Sequence, residues 1–156
     1  MIQHHTKTKG DLGLCKIMAA FLVHDIQVAL PISEHLPFDM IAISNEGKLL
    51  RISVKYRQEI EGKLQFQLNS SWSNSSGCQS RAVERSEIDG FAIYCPTTDE
   101  CYFVGHSDFK GKTITVRNWW PEGMEQRPVL LGKDLLNPNR LFGGSAETVS
   151  CTSLLN

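Results

Sequence analysis

Residues 37–57, PFDMIAISNEGKLLRISVKYR, decide the fold of this chain. Two apolar runs, 38–43 and 48–56, have the composition and length of β-strands. Between them, residues 44–47 read Ser-Asn-Glu-Gly, which are residues typical of a tight turn. The stretch therefore predicts an antiparallel hairpin, and the rest of the chain is placed around it.

Side-chain alternation gives the second predicted strand two different faces. Leu50, Ile52, Val54 and Tyr56 share one face because successive side chains of a strand point to opposite sides. The other face carries these polar residues: Arg51, Ser53, Lys55 and Arg57. Since the facing strand opens on Asp39, the alternation predicts that Ser53 and Lys55 lie side by side, within reach of that carboxylate.

The segment before the hairpin predicts one long helix over residues 8–24. Thr8 is suited to the N-cap, and Asp11 three positions later completes a capping-box pattern. Apolar side chains then recur at helical spacing, which predicts a well-buried helix. Asp11 thus has two interpretations, as a helix-capping residue or as a functional carboxylate near the hairpin.

Further strands are predicted at 26–30, 64–68, 90–95, 100–104 and 113–117. Residues 69–79 are rich in Ser, Asn and Gly, and we expect a loop there. The tail from about residue 137 holds helix breakers and small residues, so we expect it to be flexible. Neither an internal repeat nor a linker interrupts the sequence, which predicts one domain over 1–156 with its core at about 8–117.

Composition excludes several classes of protein. At 156 residues the chain has room for one core, and 41% hydrophobic residues is ordinary for a soluble domain. It has neither an apolar run of membrane-spanning length nor a signal-peptide core, so we expect a cytoplasmic protein without a membrane partner. The five cysteines lack zinc-site spacing and are expected to be reduced thiols.

The residues around the hairpin match what metal-dependent phosphodiester cleavage needs. That reaction uses a divalent metal, a water deprotonated near neutral pH, and positive charge near the phosphate oxygens. Asp39 can give Mg²⁺ the carboxylate oxygen it prefers. Position 53 can give a second ligand, with its backbone carbonyl as a third, and Lys55 can orient or activate the water.

The order and spacing of these residues resemble the PD-(D/E)xK nuclease superfamily. More narrowly, the chain is similar to the small intron-encoded homing endonucleases of that superfamily. The resemblance is good over 6–57, where TKTKGDL (6–12), Phe38-Asp39, EGKLL (46–50) and Val54-Lys55 follow one another. It is weaker over 89–104, where an acidic residue leads into a strand pair.

The resemblance implies a restriction-endonuclease-like α/β fold, in which helices flank a mixed central sheet. It implies a Mg²⁺-dependent DNA endonuclease, with Mn²⁺ as a substitute, that makes homing-type double-strand cuts. Asp11 and Asp39 occupy its acidic, metal-binding positions and Lys55 its lysine. Ser53 stands where the pattern has Asp or Glu; close relatives have glutamine there, and Glu59 or Glu61 are candidates for a relocated carboxylate.

Double-stranded DNA is the expected partner, and cutting both strands needs two active sites, so we expect a homodimer or homotetramer. The net charge of −1 does not favour nucleic-acid binding, but local basic patches matter more than the sum. The candidate DNA contacts are Lys7, Lys9, Arg57, Arg81, Lys110, Lys112 and Arg117. Trp119 and Trp120 can either stack on a nucleotide or anchor a hydrophobic contact.

Two other functions remain open from the sequence. Loss of the second carboxylate at Ser53 is also consistent with a DNA-binding protein of the same fold whose catalysis is weakened. A branched-DNA resolvase or a repair nuclease would use the same residues on a different substrate.

Overall fold

A computed structural model of the chain describes residues 5–33, 35–67, 69–74, 77–82, 84, 86–119 and 130–143, with only the backbone of residues 5, 69–74 and 77–82. One α-helix, α1, spans His5–Val23. The strands are β1 Gln27–Ala29, β2 Met40–Ile43, β3 Leu49–Tyr56, β4 Lys63–Gln67, β5 Asn69–Asn74, β6 Gly77–Ala82, β7 Gly90–Cys95, β8 Glu100–Gly105, β9 Thr113–Arg117 and β10 Leu130–Leu131.

The central sheet has five strands in the order β1-β2-β3-β7-β8. Strands β3 and β7 run parallel and the other neighbours are antiparallel, so the sheet is mixed, as the resemblance implies. The predicted hairpin is β2 and β3, with Met40 opposite Ile52 and Ile43 opposite Leu49. Its register sets the position of every polar side chain described below.

Each face of this sheet packs against a separate apolar core. Helix α1 covers one face, where Ile17, Phe21, Met40 and Ile52 are fully buried. Gly13 allows the close approach of α1 to β3, since a Cβ at this position would lie 3.4 Å from Tyr56 Cβ. The face bearing Ser53 and Lys55 is therefore the one turned away from the helix.

A second, three-stranded sheet covers that other face. Its order is β10-β9-β4, with β4 antiparallel to β9 and β9 parallel to β10. The inward side chains of this sheet, Leu64, Phe66, Ile114 and Val116, join the second core. The predicted α/β fold with a mixed central sheet is thus confirmed, and among the described residues the face opposite α1 is covered by this small sheet and by short 3-10 helices.

The N-terminal helix begins earlier than predicted. Since α1 starts at His5, Thr8 lies inside the helix and is not its N-cap. Asp11 is the seventh residue of α1, in its second turn, where it cannot complete a capping box. The capping interpretation of both residues is therefore wrong.

Two predicted irregular segments are regular in the structure. Residues 69–79 were expected to be a loop, but β5 and β6 form an antiparallel hairpin there. The tail was expected to be flexible from about 137, yet Pro138–Phe142 is a 3-10 helix. Arg140 fixes that helix by donating hydrogen bonds to both carboxylate oxygens of Asp108, at 2.7 and 2.8 Å, and to Phe103 O. Residues beyond 143 lie outside the described part.

The remaining strand predictions agree with the structure to within about two residues, the usual uncertainty of element ends. Among the described residues, no helix is both long and apolar enough to cross a bilayer.

Candidate active site

Asp39 lies immediately before β2, on the face of the sheet turned away from α1. Its main-chain N–H donates to Ile52 O at 2.9 Å, so the ladder between β2 and β3 fixes the backbone of this residue. Its carboxylate Oδ2 accepts a 2.6 Å hydrogen bond from Val54 N and a 3.2 Å hydrogen bond from Ser53 Oγ. Within the described part of the chain, no hydrogen bond to Oδ1 is observed.

Ser53 is buried, with 2% of its surface exposed, and is directed at Asp39. Its hydroxyl therefore holds the carboxylate in place, where a second carboxylate would repel it. Ser53 thus orients the Asp39 carboxylate, whereas the acidic residue of the motif at this position is a metal ligand.

Lys55 follows on the same face of β3 and is half-buried. Burial lowers the pKa of the Lys55 ammonium, and the positive charge of Arg57 lowers it further, while the negative charge of Asp39 opposes both effects. Arg57 follows Lys55 on the same face of β3, and Asp39 lies just before β2 on that face of the sheet. A lysine with a lowered pKa loses its proton more easily near neutral pH than an exposed lysine.

The structure does not join Asp11 to this group. Lys9 Nζ lies 6.0 Å from the centre of the Tyr56 ring, and Gly13 packs on the same tyrosine. At about 100° per residue, a side chain midway between positions 9 and 13 points to the opposite side of the helix. Asp11 is accordingly exposed. It lies near the end of β3 that carries Lys55, but its side chain faces solvent.

The candidate relocated carboxylates lie in the connection between β3 and β4. Glu59 accepts a hydrogen bond from the side-chain amide of Asn118. Glu61 is exposed in a turn with positive φ, and its carboxylate is 4.0 Å from Lys63 Nζ. Among the described residues, neither has a hydrogen bond or ion pair with Asp39, Ser53 or Lys55.

The predicted DNA-contact residues fall into separate groups. Lys7 and Lys9 are on α1, on the far side of the sheet. Arg57 extends the polar face of β3, where its N–H donates to Tyr94 O at 3.0 Å. Lys110 and Lys112 are exposed before β9, which ends at Arg117; the side chain of Arg81 lies outside the described part.

Trp119 lies on the turn at 61–62, and its indole N–H donates to Glu61 O at 3.4 Å. Trp120 is outside the described residues.

A salt bridge next to the site was not predicted from the sequence. Arg51, on the polar face of β3, donates from Nε and a terminal nitrogen to Asp89, at 3.0 and 3.1 Å. The guanidinium holds the pKa of the Asp89 carboxyl below its ordinary value. Asp89 immediately precedes β7, so the pair fixes the parallel alignment of β3 and β7. Arg51 lies two residues before Ser53, and this period-two spacing indicates that both side chains share one face of β3.

The residues at the hairpin end satisfy a limited requirement for a divalent metal. No cluster of three or more His, Cys, Asp or Glu side chains suited to a metal occurs in the described residues. Mg²⁺, however, keeps several waters and needs only one or two carboxylates besides substrate oxygens. Asp39 meets that minimum, because Oδ2 is held by hydrogen bonds and the other oxygen is left for a ligand.

The mixed sheet thus carries Asp39, just before β2, and Lys55, on the adjacent strand β3, on one face of the hairpin. Residues 4–134 match the sequence profile of the PD-(D/E)XK endonuclease family. Because the match extends over well more than half of the chain, the protein belongs to that family.

A solved structure of a bacterial homing endonuclease, I-Ssp6803I, is similar to this chain. The TM-score is 0.58 at 19% sequence identity, and the match covers 88% of this chain and 86% of that one. At this identity the likeness shows a shared fold. No curated protein matches the sequence significantly.

Proposed function

We propose that this protein is a Mg²⁺-dependent DNA endonuclease that cuts both strands at a specific site, in the manner of homing endonucleases. The observation that carries the proposal is the cluster of Asp39, Ser53 and Lys55 on one face of the hairpin. The membership of the chain in a nuclease family supports it. The similarity of the fold to that of the bacterial homing endonuclease I-Ssp6803I supports the homing-type reaction.

Asp39 is the proposed metal ligand. Two hydrogen bonds to Oδ2 fix the direction of its carboxylate, which leaves Oδ1 available. A bound Mg²⁺ would lower the pKa of a coordinated water and neutralise charge on the phosphate. The protein's own contribution is to hold the carboxylate rigidly, because Ser53 and the backbone of Val54 are part of the sheet.

Lys55 is the proposed partner of the attacking water. It lies two residues beyond Ser53 on the same face, and burial lowers the pKa of its ammonium. Its neutral form can accept a proton from the water, and its charged form can stabilise the developing negative charge on phosphate. Both roles require Lys55 to stay near Asp39, and the two residues lie on the same face of the sheet, on adjacent strands.

Asp11 is the second proposed metal ligand. Helix α1 directs the side chain toward solvent, so Asp11 can join the site only if DNA or a second subunit draws the helix end closer. Comparing Asp11→Ala with Asp39→Ala in the assay below separates the two carboxylates, since Asp39→Ala should be inactive, whereas Asp11→Ala should raise the Mg²⁺ requirement if Asp11 binds the metal and leave it unchanged if it does not.

Duplex DNA is the proposed substrate and a homo-oligomer the proposed form. One Asp39–Lys55 site can cut one strand, so a double-strand break needs two copies related by symmetry. The order of the oligomer is tested by analytical ultracentrifugation of the full chain, with and without duplex DNA.

The test is a cleavage assay on supercoiled plasmid, with Mg²⁺, Mn²⁺ or EDTA, for wild type and Asp39→Ala. Glu46→Ala is the matched control, because Glu46 is an exposed carboxylate in the turn at the opposite end of the same hairpin. We expect wild type and the control to cut with Mg²⁺, and Asp39→Ala to be inactive although folded. Cleavage in EDTA, or by a folded Asp39→Ala at the wild-type rate, would overturn the proposal.

A DNA-binding protein with weakened catalysis is the second candidate. It is favoured by one observation, the serine at the position where the motif has a carboxylate. The same assay separates the two, since this candidate predicts a mobility shift of duplex DNA without cleavage in either metal. Preference for a four-way junction over intact duplex would instead identify a branched-DNA resolvase.

A further inference from the structure

Within the three-stranded sheet, strands β4 and β9 form an antiparallel ribbon whose six outward residues are all polar. Their register pairs Lys63 with Arg117, Gln65 with Thr115, and Gln67 with Thr113. The residues between them are the buried Leu64, Phe66, Ile114 and Val116, so the six paired residues share the face turned away from the core.

The outer face of the ribbon carries side chains that form hydrogen bonds and two that are positively charged. It presents two amides, two hydroxyls, a lysine and an arginine, with no carboxylate among the six residues. Gln65 Nε2 donates weakly to Thr115 Oγ1 at 3.5 Å, a bond long enough to be exchanged for a better acceptor. Glu61 approaches only at the margin, 4.0 Å from Lys63 Nζ.

The dimensions of the ribbon match the major groove of duplex DNA. That groove is about 12 Å wide and admits a two-stranded ribbon, whose strands lie about 4.8 Å apart. Among the described residues the third strand, β10, is only two residues long and pairs with β9 at Val116 and Arg117, so the part of the ribbon that carries Gln65 and Gln67 is two-stranded. Outward residues on one strand repeat about every 6.8 Å, which is twice the base-pair rise of about 3.4 Å. Gln65 and Gln67 would therefore face base pairs two steps apart.

We propose that the outer face of the β4–β9 ribbon reads the DNA sequence in the major groove, with Gln65 and Gln67 as determinants of specificity. Glutamine bonds in a bidentate manner to adenine, and the methyl of threonine contacts that of thymine. The inference rests on the proposed function, because a site-specific nuclease needs such a surface in addition to its catalytic residues.

Basic residues at the margin of the ribbon fit the phosphate backbone that flanks a groove. A cavity of about 460 Å³ has Lys110, Thr113, Thr115 and Arg117 among its lining residues, together with Asp108, which is paired with Arg140. A second cavity, of 370 Å³, lies between Arg117 and Lys133. Phosphate contacts of this kind position a protein on the duplex without reading its sequence.

The experiment is selection from duplexes with a randomised central segment. The full chain carries Asp39→Ala to prevent cutting, and the bound DNA is sequenced. Gln65→Glu and Gln67→Glu are compared with the parent, because glutamate keeps the shape of glutamine but favours cytosine over adenine. Gln27→Glu is the control, since Gln27 is an exposed glutamine on β1, at the far edge of the other sheet.

The parent and Gln27→Glu should select one consensus. In Gln65→Glu and Gln67→Glu the preferred base should change from adenine to cytosine at one position each, two base pairs apart. Discrimination for the original base should fall by about 5- to 150-fold, the usual range for one bidentate contact. If either glutamate variant fails to fold by circular dichroism, Thr113→Val, which removes only a hydroxyl, tests the same face.

An unchanged consensus in the folded ribbon variants would overturn the inference. A parent that binds duplex DNA without any consensus would do the same, as would ribbon variants that alter only the oligomeric state. Because selection does not require cleavage, an inactive wild type in the plasmid assay would contradict the proposed function while leaving this result interpretable.

Discussion

Val54 N donates a 2.6 Å hydrogen bond to Asp39 Oδ2, which ties the start of β2 to the strand that carries Lys55. The donor is a main-chain group, so no substitution at position 54 other than proline removes it. The position of the Asp39 carboxylate is therefore determined by the sheet itself, and only one of its contacts, that from Ser53, depends on a neighbouring side chain.

The first prediction uses this bond to separate the fold from the chemistry at Asp39. Asp39→Asn keeps an oxygen that accepts from Val54 N, so the free energy of unfolding should fall by no more than about 1 kcal/mol. Cleavage should fall by about 100-fold or more, since even partners of metal ligands cost 10- to 100-fold when replaced. Urea unfolding and plasmid cleavage measure the two quantities. A variant that cuts like wild type would exclude Asp39 as the ligand.

The second prediction concerns the charge on Lys55. Lys55→Met keeps the apolar stem and removes a partly buried charge, so stability should not fall, whereas cleavage should fall by about 100-fold or more. Lys55→Arg is the matched variant, because it keeps the charge but cannot give up a proton. Activity retained in Lys55→Arg would mean that the group acts by charge alone and not as a base.

The local parts of this architecture were predictable from sequence, because residues 37–57 contain both strands, their turn and their alternation. Asp39 is hydrogen-bonded to Ser53, and Lys55 lies on the same face of the sheet, because hairpin register and period-two geometry need no distant information. The start of α1 was misplaced because Thr8 and Asp11 imitate a capping box that the helix does not use.

The second sheet could not be deduced in the same way. Strands β4 and β9 were each predicted, but their pairing joins segments far apart in the sequence, which no local pattern specifies. Strands β5 and β6 were missed because Ser, Asn and Gly favour turns, and here backbone pairing overrides that propensity. The ion pair of Asp108 and Arg140 was not predicted because the two residues are far apart in the sequence and neither belongs to a recognisable motif.

The third prediction concerns acid stability. Burial alone would raise the pKa of the Asp108 carboxyl, but hydrogen bonds from Arg140 and from Gly105 N outweigh it and hold the pKa below its ordinary value. A carboxyl with a lowered pKa stabilises the fold above its ordinary pKa and loses that contribution as pH falls through the lowered value.

Asp108→Asn should therefore reduce the free energy of unfolding at pH 7 by about 2 kcal/mol, the cost of a charged hydrogen-bonded group. The difference from wild type should stay constant down to about pH 5 and shrink below about pH 4. Asp99→Asn is the control, because Asp99 pairs with Lys16 but is 65% exposed, and its loss should be much smaller. A difference that grows toward low pH would contradict the assignment.

The last prediction concerns Ser53. A hydroxyl brings no negative charge, so Mg²⁺ should be held more weakly than in a site with two strand carboxylates. Ser53→Ala removes the 3.2 Å bond to Asp39 but leaves that from Val54 N, so its effect on cleavage should be small. Ser53→Glu should lower the Mg²⁺ concentration for half-maximal cleavage, because the added carboxylate lies beside Asp39.

Ser53→Gln is the matched control for that variant, since it has the size of glutamate without the charge. Position 53 is buried, so both larger side chains should cost stability, which thermal melting measures. A lower Mg²⁺ requirement in the glutamate variant alone assigns the effect to charge. If the glutamate and glutamine variants need the same Mg²⁺ as wild type, position 53 does not face the metal, and the alignment of Ser53 with the motif carboxylate is wrong.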